Sequence, residues 1–383
     1  MIYTKVAFYT DTYLPAVDGV VTSIVNFRKG LEERGHKVYI FAAGDITKKD
    51  PPRQKDGNVI TFAGIKFKPY PQYRIAFFPY HSVLNLRRLN VDIVHAQTPY
   101  MMGFSGLVSS KLLNCPVVGS FHTWVMDKRI IERYYPRSAS IKNLAKKYVW
   151  KYTTFFFKKC NVTIAPSNTT KEMLEKHGIR NVEVVPNGVD LSKFNLKVSK
   201  KKAVRHYGLD EEKAKILYIG RLSPEKKVEV AIKAMKYVDN AVLLVGGTGP
   251  EEERYKRLVR SLGIEGRVRF LGFVSDEILP SLYSASDLLC HPSTFETQGI
   301  TAIEAMACGK PVVGADFMAL SELIINGYNG EKFKADDYRE CSMKIRKVLN
   351  NIDSYKFGAL ETAKKFSIAS TTKKLLNVYE RLI

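Results

Sequence analysis

The stretch HPSTFETQGITAIEAMACGKPVV, residues 291–313, decides how the rest of the chain is read. The apolar runs 287–292 and 311–316 read as strands, and 299–308 between them reads as a helix. Strand, helix and strand within so few residues make the crossover of a parallel sheet. Strands that are apolar at nearly every position are buried on both faces, so helices must cover the sheet on both sides. Working toward the N-terminus, strands at 214–220, 241–247 and 267–272 alternate with helices at 226–237, 250–262 and 276–284. A similar series fills the first half, with strands at 5–10, 37–43, 91–96, 116–121, 161–166 and 182–186. Its helices fall at 20–34, 102–113, 141–158 and 168–177. Between the two series, LSKFNLKVSKKKAVR (191–205) is polar, basic and without a strong period, and reads as a linker.

A chain of 383 residues is too long for one ordinary core and suits two domains. The predicted fold class is α/β, with two doubly wound parallel-sheet, Rossmann-like domains facing each other across a cleft. The first spans 1–195 and the second 196–368, with a final helix over 369–383 crossing back to the first. Open parallel sheets hold ligands beyond the carboxyl ends of their strands, so the loops there carry the chemistry.

Composition narrows the partners. Sixty Lys and Arg against 38 Asp and Glu give a net charge of +22, which favours nucleic acid, acidic lipid or phosphorylated ligands. No helix-turn-helix, zinc finger or RNA-reading aromatic motif occurs, so nucleic acid is not expected. Cys115, Cys160, Cys290, Cys308 and Cys341 form no CxxC pair and no metal-like spacing, which predicts a reducing, cytoplasmic setting. No basic segment precedes an apolar leader, and no run of about 18 apolar residues occurs, so membrane contact is expected to be peripheral.

Four strand-end loops hold the candidate site residues. In the opening stretch, Glu296 lies in the loop, Gly299 near the helix start and Glu304 in the helix's second turn. A helix start exposes backbone N–H groups that bind anions, and glycine lets a phosphate approach closely. Glu304 sits in an apolar run where a charge needs a partner. After strand 214–220, Arg221 and Lys226 flank a turn, and two cations there suit a diphosphate. After the first strand, Asp18-Gly19-Val20 forms a tight turn into a helix without GxGxxG. His122 stands at the end of strand 116–121.

The DGV turn, VDIVHAQTP (91–99), VVPNGVD (184–190), GRLSPEKK (220–227) and FETQGITAIE with its sequel AMACGKPVV, in this order over nearly the whole chain, resemble the retaining glycosyltransferases of family 4, of GT-B architecture. The resemblance implies that Arg221 and Lys226 hold the donor diphosphate, Glu304 the donor ribose, and Glu296 the hydroxyls of the transferred sugar. Gln298, Gly299 and Ile300 match a loop whose amides face sugar and phosphate, Gly19 a glycine near the diphosphate, and His122 a histidine on the donor-sugar side. Val274 is counted with the donor-binding residues. The catalytic set is thus Glu296, His122, Arg221 and Lys226. The family often has Gly-Gly where this chain has Asp18-Gly19, so Asp18, with His122, is placed on the acceptor side. It often has Lys-Gly at Lys226-Lys227. The implied mechanism is retention, with the acceptor attacking from the leaving-group side and the donor phosphate taking its proton. No metal or other cofactor is expected, and UDP-glucose is favoured as co-substrate over GDP-mannose.

STFETQGITAIEAMA and the HTW segment also resemble enzymes that glucosylate diacylglycerol-type lipids. Independently, residues 128–159 interleave Lys and Arg with aromatics, and 66–90 form a second basic–aromatic stretch. On a helix, Leu144, Val149, Tyr152, Phe155 and Phe156 would form an apolar flank beside Lys142, Lys146, Lys147 and Lys151, suited to an anionic bilayer. The expected partners are therefore a nucleotide sugar, a lipid acceptor and the anionic cytoplasmic membrane face. A soluble sugar or sugar-phosphate acceptor is the alternative, and a non-enzymatic nucleic-acid binder the remote one.

Overall fold

A computed structural model of the chain describes residues 3–16, 18–45, 57–66, 74–76, 81–122, 139–210 and 212–383. It divides into two compact units, Met1–Gly188 with Ile368–Ile383, and Val189–Ser367.

The sheet of the first unit comprises β1 (Lys5–Thr10), β2 (Lys37–Asp45), β3 (Val59–Lys66), β4 (Arg74–Ala76), β5 (Ile93–Ala96), β6 (Val117–Ser120), β7 (Val162–Ala165) and β8 (Val182–Val184). Their order across the sheet is β4-β3-β2-β1-β5-β6-β7-β8. The pairings are parallel except β3 with β4, which is antiparallel. Helices α1 (Gly19–Glu32), α2 (His81–Leu89), α3 (Met101–Leu112), α4 (Ala139–Lys159) and α5 (Asn168–Lys176) connect these strands, and the C-terminal helix Ile368–Glu380 belongs to the same unit. Strand β1 is apolar from Val6 to Tyr9 because both its faces are buried. Ala7 and Tyr9 enter one core layer and Val6 and Phe8 the other. The C-terminal helix packs Leu375, Leu376 and Tyr379 into the second layer with Ile24 and Phe27 of α1. Gly30 permits that approach, since a Cβ there would lie 2.0 Å from Thr372 Oγ1.

The second unit holds β9 (Ala214–Ile219), β10 (Ala241–Gly246), β11 (Val268–Gly272), β12 (Leu288–His291), β13 (Val312–Ala315) and β14 (Gly330–Phe333), in the order β11-β10-β9-β12-β13-β14. All its pairings are parallel. Helices α6 (Lys201–Tyr207), α7 (Val228–Ala234), α8 (Glu252–Ser261), α9 (Leu279–Ala285), α10 (Ile300–Ala307), α11 (Met318–Leu323), α12 (Tyr338–Leu349) and α13 (Ile352–Lys365) accompany them. Two core layers again lie one on each face. In each sheet the chain winds outward in both directions from a central pair, β1 with β5 and β9 with β12. The crevice at the carboxyl ends of such a pair is where doubly wound sheets bind ligands.

The fold corrects the sequence reading in four places. Strands β3, β4 and β14 were not expected. β3, VITFAGIK, carries apolar residues that the sequence reading passed over and that are mostly half-buried or exposed, and β14 is four residues long. The antiparallel β4 departs from an all-parallel sheet and falls inside the basic–aromatic stretch 66–90, of which 67–73 and 77–80 lie outside the described residues. The segment 191–205 is no linker: it opens the second unit, burying Phe194 and Ala203 in its core, and its helix runs on to Tyr207, which is buried with them. Three apolar anchors among many lysines hide a helix of only two turns. Finally, Phe156 leaves the apolar flank expected on α4. With Phe157 it is buried in the core, while Tyr148, Tyr152 and Phe155 are exposed. A helix lying on a sheet must bury one stripe, and Phe156 falls on it. The side chains of Lys142, Leu144 and Lys146, and residues 123–138, lie outside the described residues. No helix among the described residues is long and apolar enough to cross a membrane.

Candidate active site

The loops leaving β9 and β12 emerge side by side, because the two strands are parallel neighbours. After β9, Gly220 turns the chain and Arg221 follows, its carbonyl accepting from the Tyr218 hydroxyl at 3.0 Å. A one-turn 3₁₀ segment, Pro224–Lys226, then presents Lys226. Its Nζ lies 2.5 Å from Glu296 Oε1, in the loop after β12. Two residues 70 positions apart, one cationic and one anionic, thus meet where the strand order reverses. Burial pushes the Glu296 carboxyl up, but Lys226 and His291 outweigh it and hold it below its ordinary value. His291, the last residue of β12, has Nε2 3.6 Å from Glu296 Oε1 and 3.3 Å from Thr301 Oγ1. Burial pushes its imidazole down to about 4, so it is neutral at physiological pH.

Lys227 has φ 52°, the left-handed conformation that glycine takes most readily. The turn is therefore kept although a lysine stands at this position, where the family resemblance leads one to expect glycine. Lys227 is tied down through Asp336, 2.9 Å away.

Helix α10 begins after Gly299, which has φ 87° and makes no side-chain cap. A Cβ at Gly299 would lie 2.9 Å from Leu320 Cδ2, a side-chain end that can shift, so it is the left-handed backbone that favours glycine. With no capping side chain, the amides at this helix start are directed at whatever lies beyond it, a setting that favours an anion. Gln298 is buried beside this start and Ile300 is half-buried against the core. One turn further, Glu304 is buried and its Oε2 accepts from the Tyr283 hydroxyl at 2.9 Å. Burial raises its carboxyl to about 7 despite that hydrogen bond. The charge in an apolar helix has the partner that its setting demanded, supplied by α9. Val274 lies just past β11, against the carboxyl ends of β9 and β10: a Cβ added to Gly246 would lie 2.9 Å from its Cγ2.

Asp18, Gly19 and His122 belong to the first unit. Asp18 is the N-cap of α1: its Oδ1 accepts from Val20 N and Val21 N, both at 2.9 Å, and its Oδ2 from Thr12 Oγ1 at 3.2 Å. Gly19 is the first helical residue. Half-buried His122, just past β6, has Nε2 2.8 Å from Gln97 Oε1, and burial lowers its imidazole to about 4.

The candidate residues thus fall into two groups, one at the carboxyl edge of each sheet. Within the second unit Lys226 and Glu296 are in direct contact. Sequence reasoning passed over the residues that hold them. Tyr283 gives no signal, being one tyrosine among 21. The glycine-rich GGTGP (246–250) was a signal left unused. It laces onto the Arg221 loop through Gly220 N to Gly246 O and Leu222 N to Thr248 O, both 3.0 Å. Among the described residues no group of three or more His, Cys, Asp or Glu is placed to hold a metal ion.

Comparison with known proteins agrees with this fold. Residues 17–193 match the family described as Glycosyltransferase Family 4, and residues 199–367 match Glycosyl transferases group 1. The chain belongs to these glycosyltransferases, and its fold is GT-B. Among its relatives, the alpha-monoglucosyldiacylglycerol synthase of Streptococcus pneumoniae is 29% identical over 330 residues, 84% of this chain and 73% of that one. A GDP-mannose-dependent alpha-mannosyltransferase of Corynebacterium glutamicum is 26% identical over 346 residues, 88% and 78% of the two chains. The crystal structure of Anabaena Alr3699/HepE in complex with UDP and glucose has a TM-score of 0.77 at 21% identity, covering 99% of this chain and all of that one. That likeness concerns the fold.

Proposed function

We propose that this glycosyltransferase moves glucose from UDP-glucose to a diacylglycerol-type lipid at an anionic membrane surface on the cytoplasmic side, with retention and without a metal ion. The observation that carries the donor half is the meeting of Lys226 and Glu296 at the strand-order reversal of the second unit, beside the uncapped start of α10. Arg221, Lys226 and the helix-start amides would stabilise the diphosphate as its charge develops. Glu296 would orient the sugar hydroxyls and Glu304 would accept from the ribose hydroxyls. His122 would contact the transferred sugar. The first unit would take the acceptor, which attacks from the leaving-group side, its proton passing to the departing phosphate.

Two features support the lipid acceptor. The Streptococcus pneumoniae relative is named for glucosyldiacylglycerol synthesis. On α4, Tyr148, Tyr152 and Phe155 are exposed at 62%, 38% and 48% and share one helix face. Lys147, Lys151 and Lys159 flank them, with the Lys159 ammonium 5.8 Å from the Phe155 ring centroid. Aromatics at headgroup depth with adjacent cations, each contributing about 1 kcal/mol, suit an anionic bilayer.

The test is transfer from a panel of labelled nucleotide sugars to diacylglycerol, glucosyldiacylglycerol and soluble sugar phosphates. Glucose transfer from UDP-glucose to lipid is the expected result. Exclusive transfer to a soluble acceptor would overturn the lipid assignment, and mannose from GDP-mannose, the donor class of the Corynebacterium relative, would overturn the sugar. Flotation should show binding to vesicles containing phosphatidylglycerol, reduced by Tyr148→Ala with Phe155→Ala.

A further inference from the structure

Gln97 is fully buried at the carboxyl end of β5, beside the strand-order reversal of the first unit. Its backbone N–H donates to Tyr9 O of β1 at 2.8 Å, which fixes where its side chain begins. Strands β5 and β6 run parallel with Ala96 opposite Gly119, so the residues just beyond them are near neighbours. There the His122 Nε2 lies 2.8 Å from the Gln97 amide oxygen. An amide oxygen only accepts, so Nε2 carries the proton and, in a neutral ring, the lone pair is on Nδ1. The Gln97 amide nitrogen is buried with no hydrogen-bond partner among the described residues. A residue serving packing alone would be apolar here, since burying half an amide unpaired is unfavourable. The unpaired group persists because its other half has a task.

We propose that Gln97 is a positioning residue of the transferase site, holding His122 in the Nε2–H tautomer with Nδ1 as a hydrogen-bond acceptor. The inference rests on the role proposed for His122. It assigns the ring a polarity: His122 receives a hydrogen bond from a sugar hydroxyl and does not donate one. The ring is kept neutral by burial, which takes it down to about 4. Among the described residues, the titratable neighbour on β5 is His95, whose own imidazole is held well below its ordinary value by burial and by His122. The segment carrying Gln97 is flanked by Asp11, which accepts from Thr98 Oγ1 at 2.6 Å, and by Tyr152, whose hydroxyl donates to Pro99 O at 2.6 Å.

Three variants of the full chain test it: Gln97→Glu, Gln97→Leu and His122→Asn. Gln97→Glu keeps shape and acceptor but adds a charge, which should raise the His122 midpoint by about two pH units. At saturating donor, kcat should then gain an acid limb near pH 6 that is absent from the parent, with turnover restored above about pH 8. Nitrogen-15 shifts of His122 should report the Nε2–H tautomer in the parent. In Gln97→Leu the tautomer should be lost and kcat should fall about 100-fold with little change in the donor KM. An Nδ1–H tautomer in the parent, or a Gln97→Glu profile that superposes on it, overturns the inference alone. Unchanged turnover in His122→Asn removes the role proposed for His122, and this inference with it.

Discussion

Helices α1 and α10 each follow one strand of a central pair, β1 and β12, yet they begin in opposite ways. Helix α1 is capped by Asp18, whose carboxylate takes the amides of Val20 and Val21. Helix α10 begins at Gly299, which offers no side chain. An N-cap carboxylate satisfies the orphan amides and half-neutralises the helix dipole, so α1 has already met its anion. The start of α10 keeps that capacity, with Lys226 and Arg221 on the neighbouring loop. The contrast supports the donor site proposed for the second unit, and it gives Asp18 a capping role beside the acceptor-side place proposed for it.

The comparison breaks most readily at the Lys226–Glu296 pair. Lys226→Ala or Glu296→Ala should lower kcat/KM about 10²- to 10³-fold. Each leaves the other charge inside the protein, so thermal unfolding should also show a loss of about 1–3 kcal/mol. The double variant should be less unstable than the sum of the singles. Full turnover in either single variant would contradict the donor site.

Gly299→Ala should come next, raising the donor KM about tenfold, since it forces a Cβ into a left-handed residue against Leu320 and tilts the amides away from phosphate. An unaltered KM would mean that this helix start binds nothing.

A pH series sharpens the same comparison. With the Glu304 carboxyl raised to about 7, ribose recognition by the ionised form should weaken as pH falls below that value. The donor KM should therefore rise on the acid side of pH 7, and Glu304→Gln should flatten the profile. His122 and His291, both lowered to about 4, do not account for such a limb. Stability has the opposite sign. A carboxyl raised in the folded state from 4.5 to about 7 contributes most below pH 4.5, and that contribution is lost as pH rises through 7.

The smallest effect tests α1. Asp18→Ala should cost about 1 kcal/mol in thermal unfolding and Asp18→Asn only a few tenths, since asparagine caps as well as aspartate. If Asp18→Asn keeps its stability but loses transfer, the carboxylate has a further task at the acceptor.

Much of this was legible beforehand. Apolar strands such as KVAFYT and ILYIG announce sheets buried on both faces, and Glu296, Gly299 and Glu304 follow from one stretch of loop and helix. What escaped were elements whose signal is weak by nature. The four-residue β14 is too short to show a period, α6 hides two anchors, Ala203 and Tyr207, among lysines, and β4 borders a sheet edge where no apolar run is needed. On α4 the apolar residues were visible but not their division, since which face a helix buries depends on the sheet beneath it.

The order of residue types along the chain determined the architecture, because burial on one or both faces imposes a period that a sequence must carry. It also determined which charged residues stand at strand ends, because a strand's end is a position in the chain. Only the tertiary structure decided the pairings: Lys226 with Glu296, Glu304 with Tyr283, and His122 with Gln97. Such partners come from different strands and helices. The distance between them is set by strand order and register, which no local pattern records.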